Sequence, residues 1–239
     1  MNKRILLSIG LIVLSVSSCT VGSRRAATED RKVSNFDQIN FSTIGELTIT
    51  QGDRESLTIE AESDVMSRIT TSVRGGTLYI DMKSGLLWVG SAMPTKPVKY
   101  DLTVKELAAL DLSGVGNIYA GAIDTDWLNL DLNGDGKIVI RSLTADVLEV
   151  NHTGLGQCEL SGQVRRQEVV LTGAGDYDAA DLESEKTEVV LTGLGKATVW
   201  ATETLDIELS GAGRVSYYGN PRVTQNVTGL GKVKSLGSH

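Results

Sequence analysis

Residues 187–197 read Thr-Glu-Val-Val-Leu-Thr-Gly-Leu-Gly-Lys-Ala, a glycine pair set within an alternation of apolar and polar side chains. The same pattern recurs along the second half of the chain. The glycine pairs are Gly114/Gly116, Gly134/Gly136, Gly154/Gly156, Gly173/Gly175, Gly193/Gly195, Gly211/Gly213 and Gly229/Gly231. Their first glycines are 20, 20, 19, 20, 18 and 18 residues apart. A motif that returns at so constant a step indicates a repeat architecture.

Apolar side chains hold fixed places relative to each glycine pair. Two residues before the first glycine stand Leu112, Leu132, His152, Leu171, Leu191, Leu209 and Val227. Four residues before it stand Leu110, Leu130, Val150, Val169, Val189, Ile207 and Gln225. Four residues after it stand Ile118, Ile138, Cys158, Tyr177, Ala197, Val215 and Val233. Because a period of two is typical of a half-buried β-strand, we predict that these three columns point into a shared interior.

The repeat length selects one architecture among three. A propeller blade takes four strands and ~40 residues, so the glycine pairs would leave half a blade over. A β-sandwich rarely keeps one motif at every turn. In a parallel β-helix each rung lies ~4.8 Å above the last, so equivalent residues stack. We therefore predict an all-β chain that forms a right-handed parallel β-helix, with residues 98–235 as its ~20-residue rungs. Gln225 interrupts its aliphatic column and indicates a terminating rung.

Residues 33–97 are strand-rich but lack the glycine pair, and we expect them to be a cap or irregular first rungs. Gly75-Gly76 predicts a hairpin turn between Ile69–Val73 and Leu78–Met82. Residues 63–68 are expected to form one helical turn or a loop. The alternating segment 98–104 is expected to begin the stack.

The N-terminus carries a targeting pattern. Lys3 and Arg4 precede an apolar run over residues 5–16, which is too short to span a bilayer comfortably. Val-Ser-Ser-Cys at residues 16–19 resembles a bacterial lipobox. That resemblance implies a signal peptide over residues 1–18, a diacylglycerol on Cys19 and a membrane anchored protein, with residues 20–32 as a tether. The residue after the lipid cysteine, Thr20, is not aspartate, which favours the outer membrane over the inner one.

Composition excludes several functions. The net charge of −7 and the 5% aromatic content argue against a nucleic-acid partner. With two histidines and two cysteines, we expect no catalytic residues, no metal site and no cofactor. Residues 131–136 resemble the start of a calcium-binding EF-hand loop, but Ser142 stands at the twelfth position and the flanks are strands. We expect His152 to be a packed residue bonded to a hydroxyl or carbonyl, and Cys158 to behave as a small hydrophobe.

The residues between the paired glycines form a candidate binding surface. They are Val115, Asp135, Leu155, Ala174, Leu194, Ala212 and Leu230. If this edge points outward, Val115, Leu155, Leu194 and Leu230 form a mostly apolar stripe. Trp88 lies in the apolar loop 84–97, which is expected to be a flap over the end of the coil or a contact surface. The Ser, Thr and Asn residues just before the first glycines, such as Ser113 and Thr153, are expected to form a hydrogen-bonding ladder.

The pattern also resembles a known family, the bacterial head GIN domain of auto-transporter adhesins. The matching residues begin with Val33-x-x-Phe36-x-x-Ile39, Leu47-x-Ile49-x-Gln51-Gly52, Leu57-x-Ile59 and Leu78-x-Ile80. They continue through Pro97-Val98 and residues 107–116 to the later Thr/Ser-Gly-x-Gly copies, over about residues 33–235. The resemblance implies a β-helix on envelope proteins, often lipoproteins of Bacteroidetes, and supplies no catalytic residues.

Three functions remain open from the sequence. The first is a non-enzymatic, lipid-anchored envelope protein that contacts a glycan or a surface protein. The second is a polysaccharide lyase or hydrolase on the same scaffold, for which Asp111 and Asp131 are the stacked acids. The third is a structural envelope component that assembles through its rung ends.

Overall fold

The computed structural model describes residues 25–83 and 94–239. About 71% of these residues are in strands and 2% are in helix. The N-terminal elements are β1 (Ala26–Arg31), β2 (Gln38–Ser42), β3 (Glu46–Gln51), β4 (Ser56–Glu62), α1 (Ser63–Met66), β5 (Ile69–Arg74), β6 (Thr77–Met82) and β7 (Lys99–Val104). The repeat elements are β8 (Ala109–Leu112), β9 (Asn117–Leu132), β10 (Lys137–His152), β11 (Gln157–Leu171), β12 (Asp176–Gly193), β13 (Lys196–Gly211), β14 (Arg214–Tyr218), β15 (Arg222–Gly229) and β16 (Lys232–Gly237).

The repeats form a parallel β-solenoid of about 6 turns, which confirms the predicted fold class. Each strand from β9 to β13 pairs in parallel with the strand of the next rung. Its residues keep the register of the glycine repeat, so that Ile138 pairs with Ile118 and with Cys158. Neighbouring rungs therefore exchange main-chain hydrogen bonds around the coil, and the glycine pairs lie one above another.

The three predicted columns are buried, except at the terminal rung. Leu112, Leu132, Leu171, Leu191 and Leu209 are each at most 2% exposed. In the last rung Val227 is 39% exposed, Gln225 is exposed and Val233 is only partly buried. The interior is thus one continuous apolar core that runs along the coil, and each fully buried Leu, Ile or Val contributes about 1.5–3 kcal/mol.

Close approach of the rungs explains the paired glycines. A Cβ on Gly134 would lie 1.9 Å from the carbonyl oxygen of Gly114. The second glycine also leaves room for the inward leucine of the rung below, because a Cβ on Gly213 would lie 2.4 Å from Leu191 Cδ2. Of the first glycines, only Gly193, Gly211 and Gly229 have φ in the left-handed region. Steric contact between rungs, more than backbone conformation, therefore requires glycine here.

The N-terminal strands join the stack in an order that the sequence does not follow. β3 lies between β7 and β9, and β2 lies between β6 and β8. β7 is the first parallel strand of its ladder, as expected for residues 98–104, but β3 separates it from β9. The reason is a degenerate repeat at Thr43-Ile44-Gly45, where Thr43 and Gly45 take the places of the paired glycines. Cβ positions on Gly114 and Gly116 would lie 2.1 Å from Thr43 O and 2.9 Å from Gly45 O.

Antiparallel pairs surround this first rung. β5 and β6 form the hairpin predicted at Gly75-Gly76, and both glycines have φ in the left-handed region. β1 pairs with β4, and β4 pairs with β7. α1 is a single helical turn, as one of the two expectations for this segment has it. No helix within residues 25–83 and 94–239 is long and apolar enough to cross a membrane.

Gln51 lies just beyond the point where the pairing of β3 with β9 ends, at Ile49 and Ala120. Its Nε2 donates to the carbonyl oxygens of Asp124 at 2.9 Å and Lys105 at 3.0 Å. Its Oε1 accepts the backbone N–H of Asp124 at 2.7 Å. One side-chain amide thereby takes over the hydrogen bonds that a neighbouring strand would make.

Candidate functional site

The residues between the paired glycines line an outer corner of the solenoid. Val115 is 63% exposed, Leu155 66%, Leu194 68% and Leu230 83%. We call the column of Val115, Asp135, Leu155, Ala174, Leu194, Ala212 and Leu230 the apex stripe. The four large side chains therefore point outward, which is the condition on which the predicted surface depended. Trp88, the fifth predicted residue, and Cys19 lie outside the described residues, as does the signal peptide.

Main-chain hydrogen bonds hold the last three residues of the apex stripe in line. The N–H groups of Leu194, Ala212 and Leu230 donate to Gly173, Gly193 and Gly211 of the preceding rungs at 3.2, 3.0 and 2.8 Å. The backbone at these three positions is therefore fixed, and parallel pairing of the flanking strands gives the whole stripe a spacing of ~4.8 Å. From Val115 to Leu230 it is about 29 Å long.

The Ser, Thr and Asn residues directly before the first glycines form a polar column beside the apex stripe. Only part of this column forms the predicted hydrogen-bonding ladder. Ser42 and Ser113 share a hydrogen bond of 2.5 Å, and Thr153 Oγ1 donates to Asn133 Oδ1 at 2.5 Å. Thr228 Oγ1 donates instead to the Leu209 carbonyl at 3.5 Å. The hydroxyls of Thr172, Thr192 and Ser210 make no such bond, so they contribute exposed polar groups to the corner.

Asp111 and Asp131 form the carboxylate pair that the enzyme alternative requires. They are direct partners on the parallel strands β8 and β9. Asn40 Nδ2 donates to Asp111 at 2.5 Å, and Asn129 Nδ2 donates to Asp131 at 2.8 Å. Burial raises the pKa of Asp111, and the negative charge of Asp131 raises it further. The geometry supplies two stacked acids held by amides, with no ion pair to a described basic side chain.

His152 and Cys158 both lie inside the coil. Cys158 is 1% exposed, and burial raises the pKa of its thiol to about 12, which makes it unreactive. His152 is 1% exposed, as expected, but both of its ring nitrogens lack a hydrogen-bond partner. The expected bond to a hydroxyl or carbonyl is therefore wrong. On the neighbouring rungs His152 pairs with Leu132 and Leu171, whose side chains cannot form hydrogen bonds.

A His152→Leu variant is expected to be more stable by about 1–3 kcal/mol, because it removes two buried ring nitrogens without partners. Burial lowers the pKa of His152, against a smaller raising effect of Asp176. As the pH falls, His152 is therefore protonated in the unfolded chain before it is protonated in the folded one, near pH 6.5. The free energy of unfolding of the wild-type chain falls as the pH drops below that value. Urea titrations of both proteins between pH 8 and pH 5 should show a gap that widens toward acid. Parallel curves would contradict this assignment.

Two features of the described chain escape the sequence analysis. Trp127 is 53% exposed at the edge of a lateral face, among Val147 and Arg166 of the following rungs. Inside the coil, Tyr177 Oη donates to Gln167 Oε1 at 2.8 Å, and Gln167 Nε2 donates to Ser184 Oγ at 3.3 Å. The signal for this polar cluster was Tyr177 itself, because a buried phenol needs a partner.

Residues 131–136 make hydrogen bonds within the solenoid. Asp131 Oδ2 accepts from Asn129, and Asn133 Oδ1 accepts from Thr153. Across residues 25–83 and 94–239, no three His, Cys, Asp or Glu side chains are grouped closely enough to hold a metal ion.

The fold and the glycine corners define the chain as a parallel β-solenoid of repeated rungs. Residues 35–221 match the family model described as "Putative auto-transporter adhesin, head GIN domain", and the chain belongs to this family. A comparison with curated proteins gives no match.

Solved structures show the same fold. A "putative adhesin" from Bacteroides fragilis NCTC 9343 is 27% identical, with a TM-score of 0.84 over 90% of this chain and 98% of that one. A "putative lipid binding protein" from Parabacteroides distasonis ATCC 8503 is 24% identical, with a TM-score of 0.68 over 88% and 96%. A "putative adhesin" from Parabacteroides merdae ATCC 43184 is 21% identical, with a TM-score of 0.70 over 89% and 96%.

Proposed function

We propose that the chain is a non-enzymatic, lipid-anchored protein of the cell envelope, held in the outer membrane through Cys19. In this proposal the apex stripe contacts an extended partner, a glycan or a surface protein. The observation that carries it is the line of four large apolar side chains, each more than 60% exposed, on one corner of the solenoid. Contiguous exposed apolar surface is typical of interaction sites, because leaving it in water costs free energy.

The shape of the stripe favours an extended partner. Its apolar side chains recur along one line of about 29 Å and are separated by Asp135, Ala174 and Ala212. A polymer lying along the corner would meet an apolar group at alternate rungs and exposed hydroxyls, such as that of Thr192, beside them. The membership in an adhesin family supports a surface role, and the B. fragilis protein of similar fold carries the same description.

The stripe is tested with a Leu155→Ser/Leu194→Ser double variant on a glycan array. We expect the wild-type chain to bind one class of glycan without releasing products, and the double variant to lose that binding. Val170→Ser is the matched control, because Val170 is an apolar residue exposed on a lateral face. Equal binding by wild type and double variant, or shortened glycans in the supernatant, would contradict the proposal. If the wild-type chain binds no glycan on the array, glycans are excluded as the partner.

The lipid anchor is tested separately. A Cys19→Ala variant should appear in the soluble fraction of lysed cells, since it lacks the thiol that carries the diacylglycerol. Wild-type chain should sediment with the outer membrane. If the variant sediments to the same extent as wild type, Cys19 is not the anchor.

The carboxylate pair favours the enzyme alternative, because a raised pKa beside a second acid is typical of general acids. If Asp111 donates a proton to a glycosidic oxygen, the wild-type chain should depolymerise an envelope polysaccharide. An Asp111→Asn variant should then lose that activity while keeping its melting temperature. Lack of turnover in the wild-type chain leaves the binding function as the better account.

A further inference from the structure

A notch interrupts the apex stripe near its C-terminal end. Leu194 and Leu230 are 68% and 83% exposed, and the small Ala212 stands between them in the register of the rungs. The cavity has a volume of about 180 Å³. Its lining consists of Leu194, Lys196, Ala212, Gly213, Arg214, Leu230 and Lys232.

Three cations stack along one side of this notch. Arg214 is the direct partner of Lys196 on one neighbouring strand and of Lys232 on the other. Their Cα atoms are therefore ~4.8 Å apart from rung to rung. Like charges at directly opposite positions destabilise a sheet, so this arrangement costs the fold free energy.

The stacked cations have little countercharge of their own. Lys196 Nζ lies 3.7 Å from Asp176 Oδ2, while neither Arg214 nor Lys232 has an ion pair with a described residue. Residues 209–239 contain four basic residues and no Asp or Glu, in a chain whose net charge is −7. The last rungs are thus a positively charged end on an acidic protein, and an anion would relieve the repulsion at the notch.

A second notch of the same kind provides an internal comparison. Ala174 lies between Leu155 and Leu194 on the apex stripe. The residues beside it, in the column that holds the cations above, are Gln157, Asp176 and Lys196, and here Lys196 lies beside the carboxylate of Asp176. Both notches offer apolar walls, but the rim at Ala174 has one cation beside an acid, whereas the rim at Ala212 has three cations.

We propose that the Ala212 notch binds an anionic amphiphile. The phosphate or carboxylate headgroup lies against Arg214 and the two lysines, and the start of the apolar chain packs between Leu194 and Leu230. Arg214 matches this headgroup best, since a guanidinium donates two parallel hydrogen bonds to a phosphate or carboxylate. The inference goes beyond the proposed function, because it needs the notch and its cations and no adhesive role for the rest of the stripe.

Calorimetric titration of the mature chain with three probes tests the ligand chemistry. The probes are octyl phosphate, inorganic phosphate and octyl glucoside, each below its micelle concentration. Octyl phosphate should bind at least ~10-fold more tightly than either of the others, and added salt should weaken it. If inorganic phosphate binds as well as octyl phosphate, the site takes free anions and the amphiphile proposal is wrong. If octyl glucoside binds equally, or octyl phosphate does not bind, the cations play no part and the proposal is overturned.

Matched variants test the location. Arg214→Gln removes the middle cation, and Ala212→Leu fills the notch with a residue that is native at the same place in other rungs. Each should weaken octyl phosphate binding by at least ~10-fold without lowering the melting temperature. Ala174→Leu fills the other notch and should leave binding unchanged. A loss in Ala174→Leu equal to that in Ala212→Leu would place the ligand elsewhere and contradict the proposal.

Discussion

A Gly136→Ala variant is expected not to reach the folded state at 25 °C. The added Cβ would lie 1.8 Å from the carbonyl oxygen of Gly116 and 3.0 Å from Leu112 Cδ2. Neither neighbour can withdraw, because Gly116 belongs to a corner between paired rungs and Leu112 is fully buried. Relief of the clash requires the two rungs to separate over several hydrogen bonds. We expect a cost above ~5 kcal/mol, which is comparable with the whole stability of a typical domain.

Gly121→Ala is the matched control for this variant. A Cβ at Gly121 would meet nothing within 4 Å, and its φ is not in the left-handed region. This variant should melt within a few degrees of the wild type, since an alanine that fits changes stability by only about 0.4–1 kcal/mol. Circular dichroism melts of the two variants give the comparison. If Gly136→Ala melts alongside Gly121→Ala, the rungs are not packed as closely as the glycine corners imply.

Leu191→Asp is the second variant with a large expected effect. Leu191 is 1% exposed in the column of leucines that precedes the glycine pairs. The substitution loses about 1.5–3 kcal/mol of apolar burial and places a carboxylate without a partner in the core. Since burial also raises the pKa of such a group, the variant should unfold at neutral pH and recover some structure in acid.

Leu194→Asp controls for the change of residue type three positions away. Leu194 is 68% exposed, so its carboxylate stays in water and the melting temperature should change by only a few degrees. Urea titration of both variants measures the difference in the free energy of unfolding. Equal destabilisation by the two substitutions would mean that inward and outward positions are wrongly assigned.

The repeat region was predictable because every rung places the same residue types at equivalent positions in the core and at the corners. Leucines enter the core two places before a glycine, and glycines stand where two backbones meet, so sequence spacing translates directly into stacking. The order of the N-terminal strands was not predictable in this way. Thr43-Ile44-Gly45 performs the role of a glycine pair with one glycine, and β3 pairs with β9 across more than 60 residues. Pairing of short strands over such distances is set by tertiary packing.

The candidate site was predictable in part. Alternation places the residue between two glycines outside, which is where Leu155 and Leu230 lie. The stacking of Arg214 on Lys196 and Lys232 follows from the same spacing, because each of these residues stands directly after the second glycine of its pair. His152 shows a limit. Buried histidines usually have hydrogen-bond partners, but the rungs on either side of this one happen to supply leucines.

A disulfide between neighbouring rungs tests the stacking most directly. Thr192 and Ser210 are exposed Cα partners, ~4.8 Å apart, which is within the 4.4–6.8 Å range that a disulfide spans. In a Cys19→Ala background, a Thr192→Cys/Ser210→Cys chain should form an intramolecular bond on mild oxidation and keep its native circular dichroism spectrum. Thr228 is one rung further, ~9.6 Å from Thr192, so a Thr192→Cys/Thr228→Cys chain should remain reduced. Peptide mapping by mass spectrometry that finds the second pair joined and the first pair free would contradict the solenoid.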